Sequence, residues 1–187
     1  MTRKVFIDCG ANKGFAIDGY RKKYDPEHDT EIIAFECFPE CINFLQKKYS
    51  DITIIKKAVY TGEGLLQFNT GTTTRSGTLR NDKRLFQTGN SILVESIDFS
   101  AWMFENLNPD DNVTVCMDIE GAEYEIIPKL IKTGAIDLID KFYVEWHNMK
   151  LTDITQGQHN SVEEFLTSAF VGKELVMGTS NTWDISK

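Results

Sequence analysis

The chain predicts a doubly wound α/β fold, built on a mainly parallel sheet that closes with a C-terminal antiparallel hairpin. Three observations carry this reading. Apolar runs of strand length alternate with helix-length segments along most of the 187 residues, the pattern of a parallel sheet covered on both faces. The first run, Val5-Phe6-Ile7-Asp8, breaks into a glycine-rich turn, Cys9-Gly10-Ala11-Asn12-Lys13-Gly14. The second, Ile32-Ile33-Ala34-Phe35, ends on an acid, Glu36, at the distance of about 20 residues that separates turn and ribose-binding acid in nucleotide sites.

Taken in order, residues 4–8 form the first strand and about 13–23 the first helix, with Phe15, Ile17 and Tyr20 as apolar contacts. Asp25-Pro26-Glu27-His28-Asp29 is a polar, proline-marked loop. Strand two covers 31–36. Pro39 suits the first turn of a helix over about 39–49, and Lys47-Lys48 suit its negative end. Residues 52–56 make strand three. Leu65 to Phe68 and Ser91 to Ile97 read as strands on either side of an irregular stretch, 69–90, rich in Thr, Gly, Asn and Ser. Irregular segments of that length in a compact domain are usually functional or disordered, and this one is the expected substrate loop.

Phe99 to Leu107 is a short helix and Val113 to Met117 a buried strand, followed by the acidic turn Asp118-Ile119-Glu120-Gly121-Ala122-Glu123. A helix over about 121–133 stops at Gly134. Lys141 to Trp146 is the next strand, ending at His147. Ser161-Val162-Glu163-Glu164 has capping-box spacing and predicts a helix start there. Glu174 to Met177 and Thr182 to Ile185 are the two arms of the closing hairpin. The whole of 1–187 is expected to be one domain.

Ligands of doubly wound sheets bind beyond the C-terminal ends of the strands, where strand order reverses. Asp8, Glu36, Asp118 and His147 all fall at such ends, so one rule gathers them at one edge. Asp8 also narrows the ligand. It stands where a dinucleotide pyrophosphate would approach, and like charges in a semi-buried site repel. A ligand with a cationic end and a ribose diol suits Asp8 and Glu36 better, and S-adenosylmethionine has both.

The formal charge of −8 excludes broad nucleic-acid binding, which rests on phosphate neutralisation. A basic group, Arg75, Arg80, Lys83 and Arg84, reads either as a solvated loop or as a dock for an anionic acceptor. No apolar run approaches the roughly 18 residues of a membrane span. Met1-Thr2-Arg3-Lys4 leads straight into a strand, so the cytoplasm is the expected compartment. Four cysteines, at 9, 37, 41 and 116, are expected as free thiols. His28 and His159 are expected to lie in polar loops and to face solvent. A homo-oligomer is left open.

The motifs Phe6-Ile7-Asp8-Cys9-Gly10-Ala11-Asn12-Lys13-Gly14, Ala34-Phe35-Glu36-Cys37-Phe38-Pro39, Lys57-Ala58-Val59, Ser96-Ile97-Asp98, Met117-Asp118-Ile119-Glu120-Gly121-Ala122-Glu123 and Val144-Glu145-Trp146-His147 together resemble the FkbM-type S-adenosylmethionine-dependent methyltransferases. That family has the Rossmann-like fold of class I methyltransferases. The resemblance implies that Asp8, Gly10, Ala11, Asn12 and Gly14 line the methionine end of the cofactor. It further implies that Glu36 binds the ribose, that Phe38, Pro39 and Ala58 lie near the adenine, and that Asp118 and Glu120 close the site beside the methyl. Family members typically methylate hydroxyls, often on sugars or glycan-like molecules.

An in-line methyl transfer needs alignment and a proton acceptor. His147 is the candidate base, since a neutral imidazole is available near pH 7, with Asp118 or Glu120 as alternatives. No metal is assigned, although Asp118, Glu120 and His147 leave a divalent cation open. Two other readings are a catalytically silent module that keeps the cofactor fold and a dinucleotide-dependent oxidoreductase. Asp8 and the missing G-x-G-x-x-G weigh against the latter.

Overall fold

A computed structural model describes residues 2–70, 77–82, 90–179 and 185. In chain order its first half contains β1 (Lys4–Cys9), α1 (Phe15–Tyr24), β2 (Glu31–Phe35), α2 (Pro39–Lys48), β3 (Thr53–Ile55), β4 (Ala58–Tyr60) and β5 (Gly64–Asn69). The second half contains β6 (Ser91–Asp98), α3 (Phe99–Asn106), β7 (Asn112–Met117), α4 (Glu123–Thr133), β8 (Lys141–Glu145), α5 (Gln156–Ala169) and β9 (Glu174–Gly178).

Six strands form one sheet in the order β3-β2-β1-β7-β8-β9. Every pairing in that sheet is parallel. Both faces are covered, and the alternation of strand side chains shows it residue by residue. Val5, Ile7 and Cys9 of β1, with Val113, Val115 and Met117 of β7, join the core under α3, α4 and α5. Phe6 and Cys116, on the intervening positions, join the core under α1 and α2 with Ile17, Tyr20 and Leu45. This is why β1, β2, β7 and β8 read as unbroken apolar runs.

Strand order reverses between β1 and β7, so the C-terminal ends of these strands and of β2 and β8 open onto one crevice. The doubly wound α/β reading holds. Three expectations change in detail. The strands at 58–60, 64–69 and 91–98 leave the main sheet and form a separate one, ordered β4-β6-β5, whose β5–β6 pair is antiparallel. The first arm of the expected antiparallel hairpin, β9, instead pairs in parallel with β8. Its second arm, 182–185, lies outside the described residues apart from Ile185.

The last helix starts at Gln156 rather than 161. Thr155 and Gln158 close the capping box, with the Gln158 amide donating to Thr155 Oγ1 at 3.2 Å and the Thr155 amide to Gln158 Oε1 at 2.9 Å. Two capping-box spacings lie close together, and the earlier one caps the helix. Phe15, expected to pack, is 56% exposed. No helix among the described residues is long and apolar enough to cross a membrane.

Candidate active site

The glycine turn is shaped by the backbone it must approach. Gly10 has φ +84°, and a Cβ there would fall 2.1 Å from the Asp118 carbonyl oxygen. The turn therefore lies directly against the end of β7, and only glycine fits. The Gly10 and Ala11 amides both donate to the Phe35 carbonyl at 3.0 Å, which ties the same turn to β2. Gly14 serves a different neighbour. Its φ is +77°, and a Cβ would meet the Tyr49 hydroxyl at 2.4 Å, so its smallness seats α1 against Tyr49.

A cavity of about 470 Å³ opens beyond these strand ends, within the size range of small-molecule sites. Asp8, Gly10, Ala11, Asn12, Glu36, Phe38, Ala58, Asp118 and Glu120 all line it. Gly14, Pro39 and His147 are not among its lining residues. Pro39 opens α2, where its fixed φ is useful and its missing N–H costs nothing. Lys57, Phe68, Glu145 and Lys150 line the cavity as well, and none was assigned a role from sequence. Glu145 carries the same signal as Asp8 and Asp118, an acid at the C-terminal end of a parallel strand. Phe38 and Phe68 place ring centroids 6.1 Å apart, an apolar wall drawn from the N-cap of α2 and from β5.

At the β1–β2 end, Glu36 is buried and accepts backbone N–H bonds from Asn12 at 2.7 Å, Cys37 at 2.9 Å and Phe38 at 2.7 Å. Burial raises its pKa, and these three donors act against the rise. A carboxylate has about four acceptor positions, so Glu36 has room for one further donor while it holds the turn. Asp8 is 1% exposed, and its Oδ2 has no hydrogen-bond partner. Burial lifts its pKa to about 7, opposed by a hydrogen bond with Cys116 and assisted by the Glu36 charge. A buried, orphaned acceptor facing a cavity fits the cationic amine end of S-adenosylmethionine and does not fit a phosphate.

At the β7–β8 end, Asp118, Glu120, Glu123 and Glu145 surround His147. The imidazole Nε2 lies 3.4 Å from Asp118 Oδ1, 3.5 Å from Glu120 Oε2 and 3.4 Å from Glu145 Oε1. Nδ1 is 2.8 Å from Glu123 Oε1, and both of those side chains are fully buried. Burial alone would lower the His147 pKa, but Glu123, Glu145 and Asp118 outweigh it and raise it to about 10. Loss of hydration pushes the Asp118 carboxyl well up, the His147 charge opposes this, and neighbouring acids reinforce it. Glu120 has φ 55°, a left-handed conformation that glutamate seldom takes. Its carbonyl accepts from Thr78 Oγ1 at 2.7 Å.

Two expectations are therefore corrected. The acids around His147 favour its charged form, which weighs against the neutral base expected of it. His159 is buried rather than solvent-facing: its Nδ1 lies 2.9 Å from the Tyr124 hydroxyl, and its ring packs edge-on to Trp146. Arg80 is also not open to an anionic acceptor. Its guanidinium pairs with Asp82 at 2.8 Å and with Glu125 and Asp153, pinning residues 77–82 beside the cavity. Arg75, Lys83 and Arg84 lie outside the described residues, as does most of the 69–90 stretch expected to be a substrate loop. Cys9, Cys37, Cys41 and Cys116 are free thiols. Asp98, within the Ser96-Ile97-Asp98 motif, is structural: it caps α3 by accepting from the Ala101 amide at 3.2 Å.

A family model described as the methyltransferase FkbM domain matches residues 8–172. No curated protein and no solved structure matches the chain.

Proposed function

The chain belongs to the FkbM methyltransferase family, and from that premise we propose that it moves a methyl group from S-adenosylmethionine to a hydroxyl on a sugar or glycan-like acceptor. The observation that carries the reading is a single cavity with two unlike ends. One end offers Asp8 and Glu36, and the other offers Asp118, Glu120 and Glu145.

Asp8 would hold the amine of the methionine end with its unpartnered Oδ2. Glu36 would accept the ribose through the acceptor position its backbone donors leave. Phe38, Phe68 and Ala58 supply apolar faces for the base. The cofactor supplies an electrophilic methyl on a sulfonium. The remaining requirements are alignment of the acceptor oxygen and a place for its proton. The carboxylates of Asp118, Glu120 and Glu145 line the cavity beyond the glycine turn and supply that place. His147, sealed behind them, is a positioning residue that neutralises part of their charge. A sugar hydroxyl suits this end, because carboxylates accept hydrogen bonds from hydroxyls and repel anions.

Calorimetry with S-adenosylmethionine, S-adenosylhomocysteine and NAD tests the reading. Binding of both sulfur ligands is expected. Binding of NAD alone would overturn it in favour of an oxidoreductase, and binding of none would favour a silent module. Radiolabelled methyl donor offered with a panel of sugars then identifies the acceptor, and label arriving only on nitrogen acceptors would reject the hydroxyl assignment.

A further inference from the structure

We propose that Asp118, Glu120 and His147 form a binding site for a divalent first-row metal cation at the acceptor end of the cavity. One ligand atom from each of the three lies within 4.8 Å of the others. The His147 Nε2 separations of 3.4 Å to Asp118 and 3.5 Å to Glu120 approach ligand spacing. Two donors bonded at about 2.1 Å to one ion at right angles stand about 3 Å apart.

An acidic cluster alone would not carry this. The independent observation is His147 itself, a fully buried side chain whose Nε2 has no hydrogen-bond partner and points into the carboxylates. Its other nitrogen, Nδ1, is held by Glu123 Oε1 at 2.8 Å. Glu123 in turn accepts from the Ile119 amide at 3.2 Å. A carboxylate that fixes one ring nitrogen and aims the other is the arrangement found behind metal-bound histidines. Glu120 reaches the cluster from a left-handed backbone, φ 55°, and such conformations persist where the surrounding structure demands them.

The charge balance agrees. Glu145 adds a further carboxylate 3.4 Å from Nε2. Lys150, 3.3 Å from Glu120, brings one positive charge, too few to balance Asp118, Glu120, Glu123 and Glu145. A divalent ion replaces the Nε2 proton, which leaves to solvent, and neutralises acids that otherwise repel one another. One imidazole with carboxylates favours Mn²⁺ and its neighbours over Mg²⁺ or Ca²⁺, which prefer oxygen alone. The role of the ion rests on the methyl-transfer reading: it would bind the acceptor hydroxyl and ease its loss of a proton. Acceptors with two adjacent hydroxyls, able to chelate, then become the preferred class.

The test is Mn²⁺ titration of chelator-treated full-length protein without any methyl donor, followed by electron paramagnetic resonance and calorimetry. One saturable site is expected. Glu120→Gln should weaken Mn²⁺ at least tenfold, while Glu63→Gln, at an exposed residue elsewhere, should leave it unchanged. Absence of a saturable site, equal affinity in Glu120→Gln, or tighter binding of Ca²⁺ than of Mn²⁺ would each overturn the proposal. The two readings separate cleanly. Mn²⁺ binding without binding of S-adenosylhomocysteine supports the cation site and removes the methyl donor. Binding of S-adenosylhomocysteine without Mn²⁺ does the reverse.

Discussion

At the β1–β2 end of the cavity Glu36 accepts three backbone N–H groups, whereas at the β7–β8 end Asp118, Glu120 and Glu145 crowd around one buried imidazole. Both ends are acidic, and both use the C-terminal tips of parallel strands. They differ in what answers the charge. Backbone amides hold Glu36 in place whatever the ligand, so the first end is a preformed frame that still offers an acceptor position on Glu36 and the unpartnered Oδ2 of Asp8. The second end has side chains answering side chains, and its net charge is left over for something that binds. A site can thus be rigid toward one ligand and electrostatically demanding toward another within a single cavity.

The largest test of that contrast is His147→Ala. Removing the imidazole leaves Glu123 buried without its cationic partner, and breaking a buried pair from one side costs about 3–5 kcal/mol. Urea denaturation should show that loss. A cost near zero would mean that the acid end does not depend on the imidazole.

Asp8→Asn should act in the opposite direction. A buried aspartate whose pKa rises from 3.8 to about 7 keeps its proton in the folded state while the unfolded chain has lost it. Wild-type stability therefore falls as pH rises from about 4 to about 7, and the deficit persists above that. The asparagine variant lacks this slope, so at pH 8 it should be more stable, by about 4 kcal/mol at most. It should also bind S-adenosylhomocysteine less tightly. A stabilised variant with unchanged affinity would remove Asp8 from the ligand site.

Glu36→Ala is predicted to be intermediate. Losing charged hydrogen bonds in a buried setting costs about 1–3 kcal/mol, divided between cofactor affinity and fold stability because Glu36 serves both. If calorimetry shows affinity unchanged while the melting temperature falls, Glu36 is frame alone. The smallest effect belongs to Glu31→Gln, which removes a solvent-facing ion pair with Arg3 at 2.9 Å. It should cost about 0–1 kcal/mol and vanish in high salt, which sets the baseline for acids outside the cavity.

Much of this was legible in the residue order. Parallel strands point the same way, so an acid at the end of each must arrive at one edge, and Asp8, Glu36 and Asp118 did so. Glu145 followed the same rule yet drew no assignment, because it stood beside the more conspicuous His147. Glu123 was illegible for a different reason. An acid in the first turn of a helix already has a sufficient local explanation in the helix dipole, and nothing in its neighbours announces a histidine on another strand. His159 and Arg80 failed similarly. Each sits in a polar stretch, and each found its partners on other segments: Tyr124 for His159, and Glu125 and Asp153 for Arg80.

By itself the sequence determined the alternation of strands and helices, the parallel sheet, the edge at which the cavity opens and the family. Those properties follow from local periodicity and from a direction shared by all strands. Only the tertiary structure decided which acids are satisfied and which are not. It set Glu36 against backbone amides, turned Gly14 toward Tyr49, moved β5 and β6 into a second sheet and enclosed His147 among carboxylates. Charge state and hydrogen-bond partners depend on contacts between residues far apart in the chain, and on the burial those contacts create. That information resides in the packing of the elements and not in their order.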